Sequence, residues 1–116
     1  MVKKYVPEKG DLVWITLDPT EGHEQVGHGP ALVISHYDYN KNTGLMVCFP
    51  ITSKVKGFYS ELEVNEGHIK GVVLPVHIRS LDYTVPERKV TFIKKASPQL
   101  VDDAICMFLL IIDVLK

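Results

Sequence analysis

Asp11-Leu12-Val13-Trp14-Ile15-Thr16-Leu17 is rich in residues that favour extended chain, and it stops at Asp18-Pro19, a turn signal. Read as a strand, it puts Leu12, Trp14 and Thr16 on one face and Val13, Ile15 and Leu17 on the other. Both faces are largely apolar, as in a strand lying between a barrel interior and a further layer. On this reading Trp14 belongs to the core.

Similar runs recur downstream. Ala31 to Ser35 reads as a second strand and Leu45 to Ile51 as a third, and the polar linker Tyr37 to Gly44, with Asp38, Asn40 and Asn42, reads as a hairpin loop. Lys54-Val55-Lys56-Gly57 is a basic loop. Tyr59 to Val64 alternates, with Tyr59, Glu61 and Glu63 facing one way. Val64-Asn65-Glu66-Gly67 reads as a turn and Gly71 to Val76 as a strand whose end, or a sheet edge, falls at Pro75. Arg79-Ser80-Leu81-Asp82 leads into a short connection, and Lys89 to Lys94 is the last strand.

Ser97-Pro98 opens a helix, with Ser97 as N-cap, Pro98 at the first helical position and Asp102 and Asp103 near the positive end of the dipole. The helix is expected to run to the C-terminus with Leu100, Val101, Ala104, Ile105, Phe108, Ile111, Ile112 and Leu115 on one face. Cys106, Met107, Leu109 and Leu110 spread apolarity onto the rest, so a second surface must cover it, and a homodimer is expected. The apolar run Ala104 to Ile112 is far short of the roughly 18 to 20 residues of a bilayer span. Short strands and one terminal helix predict a mainly β fold: a small, mostly antiparallel barrel with a C-terminal α-helix, as a single domain over residues 1–116.

Composition narrows the function classes. In 116 residues, 46% are hydrophobic and 23% charged, with a formal net charge of -1, so any nucleic-acid site must be a local basic patch on a near-neutral body. The charges at the N-terminus precede no apolar run of about 7 or more residues, so no signal peptide is expected. Cys48 and Cys106 read as buried small hydrophobes in a reducing compartment, and a cytoplasmic address follows.

The chemistry concentrates in Gly22-His23-Glu24-Gln25-Val26-Gly27-His28-Gly29-Pro30, which runs into the second strand. Two histidines, a carboxylate and an amide on a glycine-rich loop backed by a strand make a usual site plan. His23, His36 and His68 read as solvated loop residues. The His23 to His28 spacing fits no common zinc pattern, and no metal is expected.

Tyr5-Val6-Pro7, Gly10-Asp11-Leu12-Val13-Trp14, Asp18-Pro19-Thr20, Gly22-x-Glu24-Gln25-x-Gly27-His28-x-Pro30-Ala31, Tyr39-Asn40-x-x-Thr43-Gly44 and Thr52-Ser53-x-x-x-Gly57 follow one another in the order and spacing of the MazF/PemK toxin family. Over roughly its first two-thirds the chain resembles that family. One position departs sharply: the family has arginine before the proline, and this chain has Gly29.

The resemblance implies an SH3-like or CcdB-like barrel, a two-fold dimer, and a metal-independent endoribonuclease that cuts single-stranded mRNA without a cofactor. The products are a 2′,3′-cyclic phosphate and a 5′-hydroxyl. Such cleavage requires a base for the 2′-hydroxyl proton, an acid for the leaving oxygen, and donors for the extra phosphoryl charge. In the family the arginine is central and is partnered by a threonine matching Thr52. Glu24 and His28 complete the expected catalytic set; His28 has acid-base chemistry to offer in place of the missing arginine, but at the start of a strand it points away from the direction of position 29. Gln25, Ser53, Lys54, Lys56, His77 and Arg79 are the expected RNA contacts, with Phe58, Tyr59, Tyr37 and Tyr39 as aromatic neighbours. At Val76-His77 the family tends to have Asp-Gln, a second departure that bears on base preference.

With Gly29 in place of arginine, the expectation is a severely impaired or inactive ribonuclease. The alternative is a non-catalytic binding module on the same barrel, either an antitoxin-binding decoy or a gyrase-poison-like toxin. The latter depends on terminal aromatic and aliphatic residues, and this chain ends Asp113-Val114-Leu115-Lys116. On either reading, a cognate MazE-like antitoxin with a disordered, acidic tail is the expected partner.

Overall fold

The first strand, β1, spans Asp11–Thr16 and buries Leu12 against one side of the sheet and Val13 and Ile15 against the other. The computed structural model describes residues 4–16 and 28–113. Six further strands follow: β2 (His28–Val33), β3 (Leu45–Thr52), β4 (Leu62–Glu66), β5 (Ile69–Val73), β6 (Arg79–Asp82) and β7 (Thr91–Lys95). They form one curled sheet in the order β4-β5-β3-β2-β1-β7, with β6 pairing β3 off that path, and every pairing is antiparallel. Helices α1 (Tyr37–Thr43) and α2 (Pro98–Ile111) and two 3₁₀ turns, Pro75–His77 and Pro86–Arg88, complete the described chain. The expected mainly β, antiparallel architecture with a C-terminal helix is the one observed.

Apolar residues on both faces of β1 and β3 give two cores. Leu12, Leu32, Phe49, Ile51, Val64 and Val73 pack with Leu100, Val101 and Ala104 of α2, while Val13, Ile15, Ala31, Val33, Met46, Cys48 and Leu81 form the other. Ser97 caps α2, its hydroxyl accepting from the Leu100 N–H at 3.2 Å. Phe108 reaches Phe49 with ring centroids 5.8 Å apart, whereas Leu110 and Ile112 remain about half exposed (50% and 49%). The helix ends at Ile111, short of the expected terminus, and Leu115 and Leu17 lie outside the described residues.

Several sequence expectations are corrected. Tyr37 to Gly44 is no hairpin loop: α1 occupies it, capped by the His36 ring accepting from Asp38 N–H and closed by Gly44 at φ 76°. Asn40, a poor helix former, is fully buried there because tertiary bonds outweigh propensity. Its amide donates to Pro7 O (2.9 Å) and Ser35 O (3.1 Å), its Oδ1 accepts from Ser35 Oγ (2.6 Å), and its carbonyl accepts from Tyr83 (2.7 Å). Arg79 to Asp82 is a strand, completed by pairing with β3. Val64 to Glu66 belongs to β4, and β5 ends at Val73, two residues before Pro75 starts a 3₁₀ turn. Trp14 is exposed (39%), since the α2-backed core takes Leu12 from that face and stops short of it. Cys106 is exposed on α2 while Cys48 is buried.

Two stability predictions arise here. Asn40→Ala strands the Ser35 hydroxyl and two carbonyls, and is expected to lower unfolding free energy by about 2 to 4 kcal/mol, read as a lower urea midpoint at unchanged slope. An unchanged midpoint would mean the network is not closed as described.

The second concerns alkaline pH. Buried Asp11 accepts from the Tyr5 hydroxyl (2.5 Å) and ion-pairs with Lys95 (2.6 Å), which also meets Glu8 (2.7 Å). Burial first, then the Asp11 hydrogen bond and the Asp11 and Glu8 charges, raise the Tyr5 phenol far above its usual value. For Lys95 burial acts downward, but hydrogen bonds and charges from Asp11 and Glu8 outweigh it and the net shift is upward. Raised folded-state values mean the native protein keeps protons that the unfolded chain releases. Stability from these groups is therefore complete below about pH 10 and falls as pH rises beyond it. Urea midpoints should drop above about pH 10, with a shallower drop in Tyr5→Phe.

Candidate active site

β2, β3, the segment that follows β5 and the start of β6 converge on one cleft of about 540 Å³. β2 brings His28, Gly29 and Pro30, and β3 brings Pro50, Ile51 and Thr52. Leu74, His77, Ile78 and Arg79 complete the lining. The pairing Cys48 with Arg79 and the bond from Leu74 N–H to Pro50 O (2.9 Å) draw the later segment against β3. Five sequence candidates thus meet in one place: His28, Gly29, Thr52, His77 and Arg79.

A second hollow of about 300 Å³ shares Thr52, Leu74 and His77 with the cleft and adds Lys54, Lys56, Phe58, Glu61 and Val76. Ser53 is exposed between Thr52 and the basic loop and lines neither space. Phe58 and Tyr59 are exposed at 63% and 82%. Tyr37 and Tyr39 sit on α1 and line neither space. Glu24 and Gln25 lie outside the described residues, as does His23.

Thr52 is half-buried, and its Oγ1 accepts from the Lys54 N–H at 3.1 Å. That contact uses a lone pair and leaves the hydroxyl proton available to donate. Among the described lining residues of the main cleft there is a guanidinium, Arg79, and no carboxylate, so the space suits an anion. Behind it the Cys48 thiol is pushed up to about 12 by burial, which Arg79 and Arg88 only partly offset, and it stays an inert thiol at neutral pH.

Gly29 has open space around it. A Cβ built there meets nothing within 4 Å, and its φ lies outside the positive region that favours glycine, so neither the space at Cβ nor the backbone requires glycine. Gly71 is the opposite. At φ +150° its Cβ would fall 2.1 Å from Thr52 O, so glycine alone lets β5 approach the end of β3 this closely.

Three contributors escaped sequence reading. Glu61 accepts from Lys56 N–H (3.1 Å) and Gly57 N–H (2.8 Å), bracing the basic loop, whereas alternation puts it only on one strand face with Tyr59 and Glu63. Trp14 donates to His28 Nε2 (2.7 Å). Gly71 was legible only as a glycine within a strand pattern.

Residues 8–109 match the family model of the PemK-like, MazF-like toxin of type II toxin-antitoxin systems. The chain belongs to that family. The Endoribonuclease toxin MazF of Escherichia coli (strain K12) is 43% identical over 81 residues, 70% of this chain and 73% of that protein. The crystal structure of MazF from Deinococcus radiodurans superposes with a TM-score of 0.82 at 37% identity, covering 94% of this chain and 98% of that one. A MazE-MazF crystal structure from the same organism gives 0.78 at 33% identity, covering 95% and 98%. The curled antiparallel sheet with its C-terminal helix is thus the fold of these MazF toxins. Among the described residues, no helix is long and apolar enough to cross a membrane.

Proposed function

We propose that this chain is a MazF-like endoribonuclease for single-stranded mRNA whose catalysis is abolished or severely reduced by Gly29. Metal-independent transfer at the scissile phosphate is the reaction: the ribose 2′-hydroxyl gives its proton to a base as its oxygen attacks phosphorus, the bond to the 5′-oxygen breaks and that oxygen takes up a proton from an acid, and the ends are 2′,3′-cyclic phosphate and 5′-hydroxyl. The observation that carries this reading is the open position at Gly29, beside Thr52 and Arg79 in a cleft without a lining carboxylate among the described residues. A guanidinium there would meet the phosphoryl oxygens in the planar geometry they require.

In this reading the Thr52 hydroxyl donates to a phosphoryl oxygen and Arg79 holds a phosphate. Lys54 and Lys56 follow the backbone from the adjoining hollow, and His77 contacts a base. Glu24, Gln25 and Ser53 keep the roles that the family resemblance implies. Engagement of both His28 ring nitrogens, by Trp14 and Thr16, weighs against the replacement acid or base role expected of it.

An acidic, MazE-like antitoxin tail occupies the same cleft, a proposal supported by the relative crystallised as MazE-MazF. Exposed Leu110, Ile112 and Val76 support a homodimer. The single-domain arrangement and a cytoplasmic address remain part of the proposal. The decoy reading draws on the same observation, since removing a side chain at position 29 leaves the rest of the cleft in place.

Incubation of a labelled single-stranded RNA pool with this chain and with Gly29→Arg, without added metal, tests the reading. Cyclic-phosphate ends from the arginine variant alone support it. Antitoxin-type peptide binding with no cutting by either folded protein would favour the decoy.

A further inference from the structure

The histidine beside the open position is held in a way that fixes its chemistry. His28 Nε2 lies 2.7 Å from the Trp14 indole nitrogen, and an indole N–H only donates, so Nε2 accepts. A neutral imidazole then carries its proton on Nδ1, 2.9 Å from the Thr16 hydroxyl, which accepts it. The antiparallel register builds this clasp, pairing Thr16 with His28 and Trp14 with Pro30 so that the side chains share one face. Trp14 and His28 also meet edge-on, with centroids 5.3 Å apart at 80°. Neither nitrogen is left for the cleft, although His28 is exposed and lines it.

We propose that His28 serves the cleft as an aromatic wall on which an unpaired nucleobase stacks, with Trp14 and Thr16 as positioning residues that hold its Nδ1–H tautomer. What the ring has left to offer is carbon and π-surface in a cleft it shares with Pro30, Pro50 and Ile78, and the Arg79 guanidinium lines the same cleft. This rests on the single-stranded nucleic-acid reading above and changes the role of one residue within it.

Two measurements decide it. Nitrogen-15 NMR of the ligand-free protein is expected to show the His28 proton on Nδ1, and Trp14→Phe, which keeps a ring but loses the N–H, is expected to release that preference. Binding of a pool of short single-stranded 2′-deoxy oligonucleotides, which cannot be cleaved, is expected to fall about 10-fold in His28→Ala and in His28→Gln. His28→Phe should stay within about 3-fold of the parent, and Trp14→Phe should lose about 2- to 5-fold. A proton found on Nε2 overturns the clasp alone. His28→Gln binding well while His28→Phe fails would make His28 a hydrogen-bonding group and overturn the wall. If the folded parent and all variants ignore the oligonucleotides, the wall and the nucleic-acid reading fall together, and the NMR result still stands by itself.

Discussion

Gly29→Arg is expected to raise metal-free cleavage of single-stranded RNA by at least about 10²- to 10³-fold, the usual worth of one preorganised transition-state donor. The gain should lie in kcat more than KM, because the guanidinium acts where charge develops. Lysine at this position should recover less, as a point charge without the bidentate fork, and alanine nothing. Folding is not at risk: the new Cβ meets nothing within 4 Å. Replacing glycine within β2 should by itself stabilise the strand by about 0.5 to 1 kcal/mol, partly offset by repulsion from Arg79. Thr52→Val in the arginine background should then remove most of the gain. Equal cleavage by parent and variant would place the reacting centre elsewhere.

Gly71→Ala carries the largest expected effect on the fold. The added methyl would sit 2.1 Å from Thr52 O, 2.8 Å from its carbonyl carbon and 3.0 Å from Ser53 Cα. All three are backbone atoms that cannot rotate aside, and the φ of +150° is itself unfavourable for alanine. A loss of about 3 kcal/mol or more is expected, seen as a lower urea midpoint. Relief requires β5 to retreat from the end of β3, which moves Thr52. In the Gly29→Arg background the surviving folded protein should therefore also cut more slowly, by about 10²-fold for a displacement near 1 Å. If Gly71→Ala matches its parent in both measurements, the close approach of β5 to Thr52 is wrong.

These two glycines show how differently a sequence can be read. Gly29 stood out because the family resemblance implies arginine there, and the structure adds that nothing local demands glycine. Gly71 matched no family motif and showed only as a glycine within a strand pattern, yet it is the one that the backbone cannot replace. Asn40 misled in a third way: with Asp38, Asn42 and Gly44 it has turn composition, and only its bonds to Pro7, Ser35 and Tyr83 turn that composition into a helix.

By itself the sequence determined the local elements whose signals are local. The two-faced apolar run at Asp11, the Ser97-Pro98 helix start and the basic loop at Lys54 to Gly57 all depend on neighbours within a few residues. It also named the candidate side chains for a site. Tertiary structure decided which of them meet. Gly29, Thr52, His77 and Arg79 share a cleft because β2 pairs β3 and β3 pairs both β5 and β6, and strand partners and register are contacts between distant segments that no local pattern encodes. The same reason governs Trp14: alternation told which face it shares with Leu12, but only the placement of α2 decided that Leu12 is covered while Trp14 is left free to hold His28.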